Sequence, residues 1–368
     1  LYELFKDLST IGIQMLDVTL DLNDEERELL YSHGVLIDAD SVSENPLFSC
    51  TLNEVTPSTC LDASAALIVN PTFHFVPFKF EGLADRLQGE HISARPSAWV
   101  ADEVTEIERG YWFTEEQAEI VSRFEAGKPL PFDVAPDLLA KLFAAAIVTT
   151  QKDIDRRAEF NKAKLESAHK KYNTDKYAVV EELLPAEQMA AMRAYYRKYV
   201  ANGFMPFEDG QSLRYYQHNE PLARVFHKNL TKLMCHVIGE EVVPSYVYAA
   251  SYVEHADLKP HTDRPQCEFS ISFQVDYQPE PDEYRSPWGL FLWKPDFGND
   301  QPVEYFSHEF PAASQAEDTN PAVYLASGDG LIYKGRELIH YRYPLGSGHT
   351  STSLFFHYVP RDFLGELR

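Results

Sequence analysis

No stretch of this 368-residue chain approaches the ~18 uninterrupted apolar residues a membrane-spanning helix needs, so no membrane partner is expected. Cysteine is scarce: Cys50, Cys60, Cys235 and Cys267 are the whole complement, and no two form a Cys-x-x-Cys pair. That spacing argues against a disulfide framework and for free thiols in a reducing, cytoplasmic setting. The opening residues, Leu1-Tyr-Glu-Leu-Phe-Lys-Asp, lack the basic-then-apolar pattern of a signal peptide, which agrees with that setting. Basic residues are the third shortage. Lys and Arg number 33 against 57 Asp and Glu, a net charge of −24. Such a surface repels phosphate backbones, so no nucleic-acid partner is expected, whereas a peptide or a pocket-bound small molecule is compatible with it. Internal repeats and low-complexity tracts are also absent.

What is present describes a folded protein: 44% hydrophobic, 13% aromatic and 24% charged residues. At ~150 residues per domain the length suggests two or three domains. Residues 1–150 read as a small α+β accessory domain suited to substrate or partner recognition. Asn23-x-x-Glu26 opens a helix that Gly34 stops, and Val35–Ile37 follows as a strand. Phe73–Val76 and Phe78–Phe80 alternate around Pro77 as an edge strand does. Thr114-x-x-Gln117 caps a second helix, and Pro136–Phe143 with Ile147–Thr149 reads as helix, then strand. Residues 151–176 are charged and helix-forming, read as a solvated linker helix. From Tyr177 a strand, a helix with a Met189, Met192, Tyr196, Tyr199 stripe and a helix from Leu222 to Ile238 lead into seven short strands. That density of strands in the domain 177–368 indicates a sandwich or barrel behind a helical layer.

A His-x-Asp or His-x-Glu pair on a strand puts both side chains on one face. Completed by a distant His, it is the facial triad of non-haem Fe(II) oxygenases, which leaves metal positions open for oxygen and co-substrate. With 13 His and 57 acidic residues in 368, chance alone supplies about two such pairs, and the chain holds three, so context decides. His218-x-Glu220 sits in the helical lead-in beside Pro221 and reads as surface. His255-x-Asp257 reads as a neighbouring loop and the fallback metal pair. His261-Thr262-Asp263 has the best context: Lys259-Pro260 before it, the alternating strand Glu268–Tyr277 after it, the Tyr-rich strand Ser245–Tyr252 upstream, and Ser327-Gly-Asp-Gly330 followed by His340 downstream.

This order of features resembles the Fe(II)- and 2-oxoglutarate-dependent dioxygenases, especially the prolyl-hydroxylase-like branch, over residues 177–360. The resemblance implies a C-terminal double-stranded β-helix (jelly roll) with a helical lead-in layer. It implies Fe(II) held by His261, Asp263 and His340, 2-oxoglutarate and O2 as co-substrates, and ascorbate as an accessory reductant. It also implies hydroxylation of an unactivated carbon with release of succinate. Halogenating relatives have Gly or Ala at the carboxylate position, so Asp263 points to hydroxylation. The favoured substrate is an amino-acid side chain in a peptide or protein, because the N-terminal domain exceeds what a minimal catalytic domain requires; a free small metabolite is the alternative.

The sequence departs from the family at the co-substrate's distal carboxylate. Relatives pair it with a basic residue about ten positions past the third His, often with a Ser two residues on. Here Ser353 fits the serine, but Ser351 stands where the cation is expected, and no Lys or Arg occurs from Tyr343 to Pro360. Arg342, two residues past His340 and on the same strand face, is the first choice for that charge, with His349, Lys334, Arg336 and Lys294 in reserve. Tyr246, Tyr248 and Tyr252 are candidate hydroxyl donors, while Arg264 faces away. Trp288 and Trp293 suit either a substrate mouth or the core. The segments Gln278–Pro287 and Phe297–Asn320 are the candidate lids. Two readings compete: a non-catalytic jelly-roll scaffold, and a cupin-like metal enzyme that uses no 2-oxoglutarate. Oligomeric state is left open.

Overall fold

The computed structural model describes residues 51–58, 65–76, 96–101, 108–184, 186–207, 209–294 and 319–367. The helix and strand expected at Asn23–Ile37, the segment Phe78–Phe80, Cys50, Cys60 and most of Phe297–Asn320 lie outside these residues. Cys235 and Cys267 are free thiols. No helix among the described residues is long and apolar enough to cross a membrane.

The chain divides into two compact units, with the boundary between Asp153 and Ile154. In the first unit, β1 (Ile68–Val69) pairs with β5 (Val148–Thr149), and β2 (His74–Val76), β3 (Ser97–Ala101) and β4 (Glu108–Trp112) form an antiparallel sheet. Two helices accompany them, α1 (Glu115–Val121) and α2 (Pro136–Ala144). At the start of α1, Gln117 N–H donates to the Thr114 hydroxyl, and the Gln117 side chain accepts in return from Thr114 N–H, the capping box read in the sequence. Leu52, Val69, Val100, Tyr111, Val121, Leu142 and Ile147 form part of this unit's own core.

Helix α3 (Gln151–Asp175) differs from a solvated linker. Ile154, Leu165, Ala168 and Tyr172 are buried along one stripe, and a ring nitrogen of His169 bonds the Val237 carbonyl. Its charged residues Arg156, Lys162, Lys170 and Lys171 occupy the exposed side.

Among the described residues, the rest of the second unit is two antiparallel sheets and three α-helices. The larger sheet has the order β6 (Tyr177–Val180), β13 (Gly330–Tyr333), β10 (Phe269–Gln278), β15 (Thr350–Pro360), β8 (Val242–Tyr252), β7 (Arg214–His218). The smaller runs β12 (Ala322–Val323), β11 (Leu290–Trp293), β14 (Ile339–Arg342), β9 (Leu258–His261). Leu290 and Leu292 from the small sheet share a core with Leu331 and Tyr333 from the large one, so the two inner faces meet. The outer face of the large sheet lies against helices: Phe226 of α5 (Pro221–Asn229) packs on Phe273 at 5.5 Å and Phe356 at 5.9 Å, and Arg197 of α4 (Ala186–Ala201) grips Asp276 with two 2.7 Å bonds.

Three expectations are corrected. The helix expected from Leu222 to Ile238 is two, α5 and α6 (Thr231–Ile238), joined at Leu230; the Tyr358 hydroxyl takes the His227 carbonyl at this junction. His218 ends strand β7 instead of lying in a helical lead-in. Glu220 is fully buried, not surface: it caps α5 and accepts from Leu222 N, Ala223 N and the hydroxyls of Tyr195 and Tyr196.

Candidate metal and co-substrate site

The period-two alternation of β14 decides the site. Ile339 and Tyr341 turn outward, where Tyr341 stacks on Phe291 at 5.4 Å, while His340 and Arg342 turn inward. Across the ladder, His340 stands directly opposite His261 at the end of β9, and their rings are 4.2 Å apart. The chain then turns so that Asp263 Oδ1 lies 3.9 Å from His261 Nε2 and 3.5 Å from His340 Nε2. The ligand atoms of all three residues fall within 4.8 Å of one another. Gly335 permits the turn: its carbonyl accepts from Asp263 N–H at 2.8 Å, and a Cβ there would lie 2.2 Å from Asp263 Oδ2. Only glycine fits so close an approach.

Both imidazoles are oriented alike. His261 Nδ1 meets the Lys259 carbonyl at 2.7 Å and His340 Nδ1 the Leu338 carbonyl at 3.0 Å. Each Nδ1 must donate to a carbonyl, which fixes the tautomer and leaves each Nε2 lone pair facing Asp263. Two imidazoles and one carboxylate suit a divalent first-row metal of the Fe(II) type. Burial pushes the His261 imidazole down to about 4, with His340 adding to the effect. Burial alone would raise Asp263, yet neighbouring His340 holds its carboxyl well below the usual range. Burial likewise works against a charged His340, but Asp263 raises it on balance. Without metal, a proton at the triad is favoured on His340 and disfavoured on His261.

Arg342 is 4% exposed and inward-facing beside this triad. One guanidinium nitrogen donates to the Trp288 carbonyl at 2.5 Å, and the group lies over the Trp288 ring at 4.5 Å. Its Nε has no hydrogen-bond partner, and no carboxylate among the described residues pairs with it. Burial lowers its proton affinity, with the Tyr252 and Tyr333 phenols partly opposing. A buried guanidinium without a counter-ion among the described residues is costly, by about several kcal/mol on general grounds, and an anion beside it would offset that cost. The hydroxyls of Ser272 on β10 and Ser353 on β15 are also buried and unpartnered, and by strand alternation both face inward.

The remaining candidates are engaged elsewhere. Lys334 pairs with Glu268 (3.6 Å) and Glu337, and Arg336 with Glu268 at 3.3 Å. His349 bonds the Tyr277 hydroxyl at 2.8 Å, and Lys294 is exposed just past the end of β11. The Tyr252 hydroxyl accepts from Arg214 at 2.7 Å, and the Tyr248 hydroxyl donates to Asp209. Tyr246 OH meets the Cys267 thiol at 3.0 Å, and Arg264 lies over the Tyr246 ring at 4.4 Å. All three tyrosines, with Trp288, line the inner core, whereas Trp293 packs on the outer aromatic cluster. His255, at φ +67°, sits in an exposed turn, and Asp257 pairs with Lys259, so the fallback metal pair is not assembled.

Ser270, Ser272, His357, Tyr333 and the Asp209–Arg214 pair were not among the candidates that the sequence offers. Ser270 had a signal, because Ser270, Ser272 and Gln274 alternate with large apolar residues along β10. His357 had none, since it stands in a run of aromatics.

No family model matches the chain, and no curated protein matches it. Solved structures similar to it include a Pseudomonas putida prolyl-4-hydroxylase, at 15% identity over 54% of this chain and 99% of that one, TM-score 0.40. The epimerase SnoN in complex with Fe3+, α-ketoglutarate and nogalamycin RO is similar at 16% identity over 54% and 84% of the two chains, TM-score 0.42. A Burkholderia pseudomallei oxidoreductase described as of the 2OG-Fe(II) oxygenase family is similar at 12% identity over 53% and 89%, TM-score 0.36.

Proposed function

We propose that the second unit is an Fe(II)- and 2-oxoglutarate-dependent oxygenase on a jelly-roll scaffold. One juxtaposition carries the reading: a His261–Asp263–His340 ligand set and, two residues past His340 on the same strand, the buried Arg342, which has no counter-charge among the described residues. His261 Nε2, Asp263 Oδ1 and His340 Nε2 would hold the metal, with Nδ1 of each His tied back. Arg342 would pair with the distal carboxylate of 2-oxoglutarate, its fork suited to two parallel bonds, and Ser353 and Ser272 would supply hydroxyl donors. Metal and co-substrate together supply the oxidising power when bound; the chain's contribution is orientation and a water-poor pocket. The inner walls provide that pocket through Tyr246, Tyr248, Tyr252, Trp288 and Phe355. The oxidation is a hydroxylation, since Asp263 keeps the carboxylate ligand. The substrate we favour is a side chain within a peptide, on the ground that the chain has a first unit with a core of its own.

The test is an anaerobic titration with Fe(II) and then 2-oxoglutarate, following the visible charge-transfer band of the chelate, in parallel with succinate release on peptide and small-metabolite panels. The band is expected in the wild type, absent in His261→Ala, and shifted to much higher 2-oxoglutarate in Arg342→Met. Tight iron binding without a band overturns the 2-oxoglutarate reading in favour of a cupin-like enzyme. Failure to bind iron overturns the enzyme reading altogether.

A further inference from the structure

Asp263 uses only one oxygen toward the two imidazoles. The other, Oδ2, accepts from the hydroxyl of Ser270 at 3.0 Å. The same hydroxyl lies 2.9 Å from His357 Nδ1. The ionised carboxylate has no proton to give, so the Ser270 proton points at Asp263, and Ser270 can then only accept from His357. The chain therefore has one polarity: His357 Nδ1–H to Ser270, and Ser270 O–H to Asp263.

His357 is itself fixed from several sides. In the β8–β15 ladder Val247 pairs with Phe356 and Pro244 with Tyr358, so Ser245 and Tyr246 together face His357 in a bulge. There the His357 carbonyl accepts from Ser245 Oγ at 2.9 Å and from His227 Nε2 at 2.8 Å. The His357 ring lies against Tyr246 at 4.7 Å. Asp263, Cys267 and His357 also bring ligand atoms within 4.8 Å of one another, but the Ser270 hydroxyl already joins two of the three, which speaks for a relay and not a second metal site.

We propose that Ser270 and His357 are positioning residues that lock the Asp263 carboxylate, so that Oδ1 is presented to the metal and Oδ2 is held from it. The proposal rests on the metal reading of His261, Asp263 and His340. Residues outside the ligand set typically change metal affinity by about 10–100-fold when they orient a ligand.

The experiment is Mn(II) binding to the 368-residue apo chain, read by the EPR signal of free Mn(II), with apo thermal unfolding recorded for each variant. Ser270→Ala is expected to weaken Mn(II) by about 10–100-fold, and His357→Leu to weaken it in the same direction. His357→Asn, whose amide can donate from near the Nδ1 position, is expected to restore most of the loss. In the Ser270→Ala background, His357→Leu is expected to add little, because the relay is already cut. Wild-type Mn(II) affinity in a folded Ser270→Ala variant overturns the relay. So do multiplying losses in the double variant, or His357→Asn binding as poorly as His357→Leu. No Mn(II) binding by the wild type overturns the metal reading and this inference with it.

Discussion

The two faces of the large sheet in the second unit solve opposite problems with the same strands. On the helix side, Ile271, Phe273 and Val275 of β10 and Leu354 and Phe356 of β15 are buried with no polar atom to satisfy. On the inner side Ser270, Ser272 and Gln274 of β10 and Ser353 and His357 of β15 are equally buried but polar, with Phe355 the apolar residue between the last two. The first face stabilises the fold through apolar area removed from water. The second carries groups that gain their partners from a ligand set, from one another, or, for Ser272 and Ser353, from nothing among the described residues. A face that leaves buried hydroxyls unpartnered among the described residues, opposite the buried Arg342 of the small sheet, gives up stability there in favour of binding.

The comparison breaks most visibly on the helix side. Phe273→Ala, which empties the contact with Phe226, should cost about 3–5 kcal/mol in denaturant unfolding while leaving the metal ligands untouched. Arg342→Met should do the reverse: 2-oxoglutarate binding falls by about 2–5 kcal/mol, a loss of about 30-fold or more, while apo stability is unchanged or rises. A large loss of apo stability with unaltered binding would make Arg342 a structural residue. Next in size is pH. Asp263 raises the proton affinity of His340, and that proton must leave before Nε2 can ligate. Metal affinity of the apo protein should therefore be full above the raised value and fall by about tenfold per pH unit below it, starting at higher pH than for an ordinary His. Calorimetric metal titration across pH 5–9 checks this (the range set by the ordinary His value of about 6.5). The smallest effect belongs to Ser272→Ala, whose apo stability should be unchanged or rise by about 1 kcal/mol in denaturant unfolding, since the buried hydroxyl has no partner among the described residues to lose.

Much of the second unit was legible because strand periodicity is local. The strands expected at Ser245–Tyr252 and Glu268–Tyr277 correspond to β8 and β10 within three residues at either end. The His261, Asp263, His340 set was legible from residue type and order, and Arg342 from its spacing to His340. Strands β7 and β9 were missed. Lys259-Pro260 read as a segment end, yet both residues lie within β9, an edge strand, where a proline costs no ladder bond. Glu220 was misjudged because a Glu before Pro221 looks like any exposed helix start. Tyr195 and Tyr196, about 25 positions earlier, are what bury it.

By itself, the sequence determined the period of each strand, the residue types able to bind a metal, and the shortage of basic residues beyond His340. These depend on neighbours a few positions away, where covalent geometry dictates which side chains share a face. Only the tertiary structure decided that β9 and β14 pair with His261 against His340. It alone decided that Ser270 joins Asp263 to His357, and that Arg342 is buried with no counter-charge among the described residues while Arg214, bonded to Tyr252, has Asp209. Register and charge compensation join residues tens of positions apart, so they follow from how the sheets close and not from any local pattern.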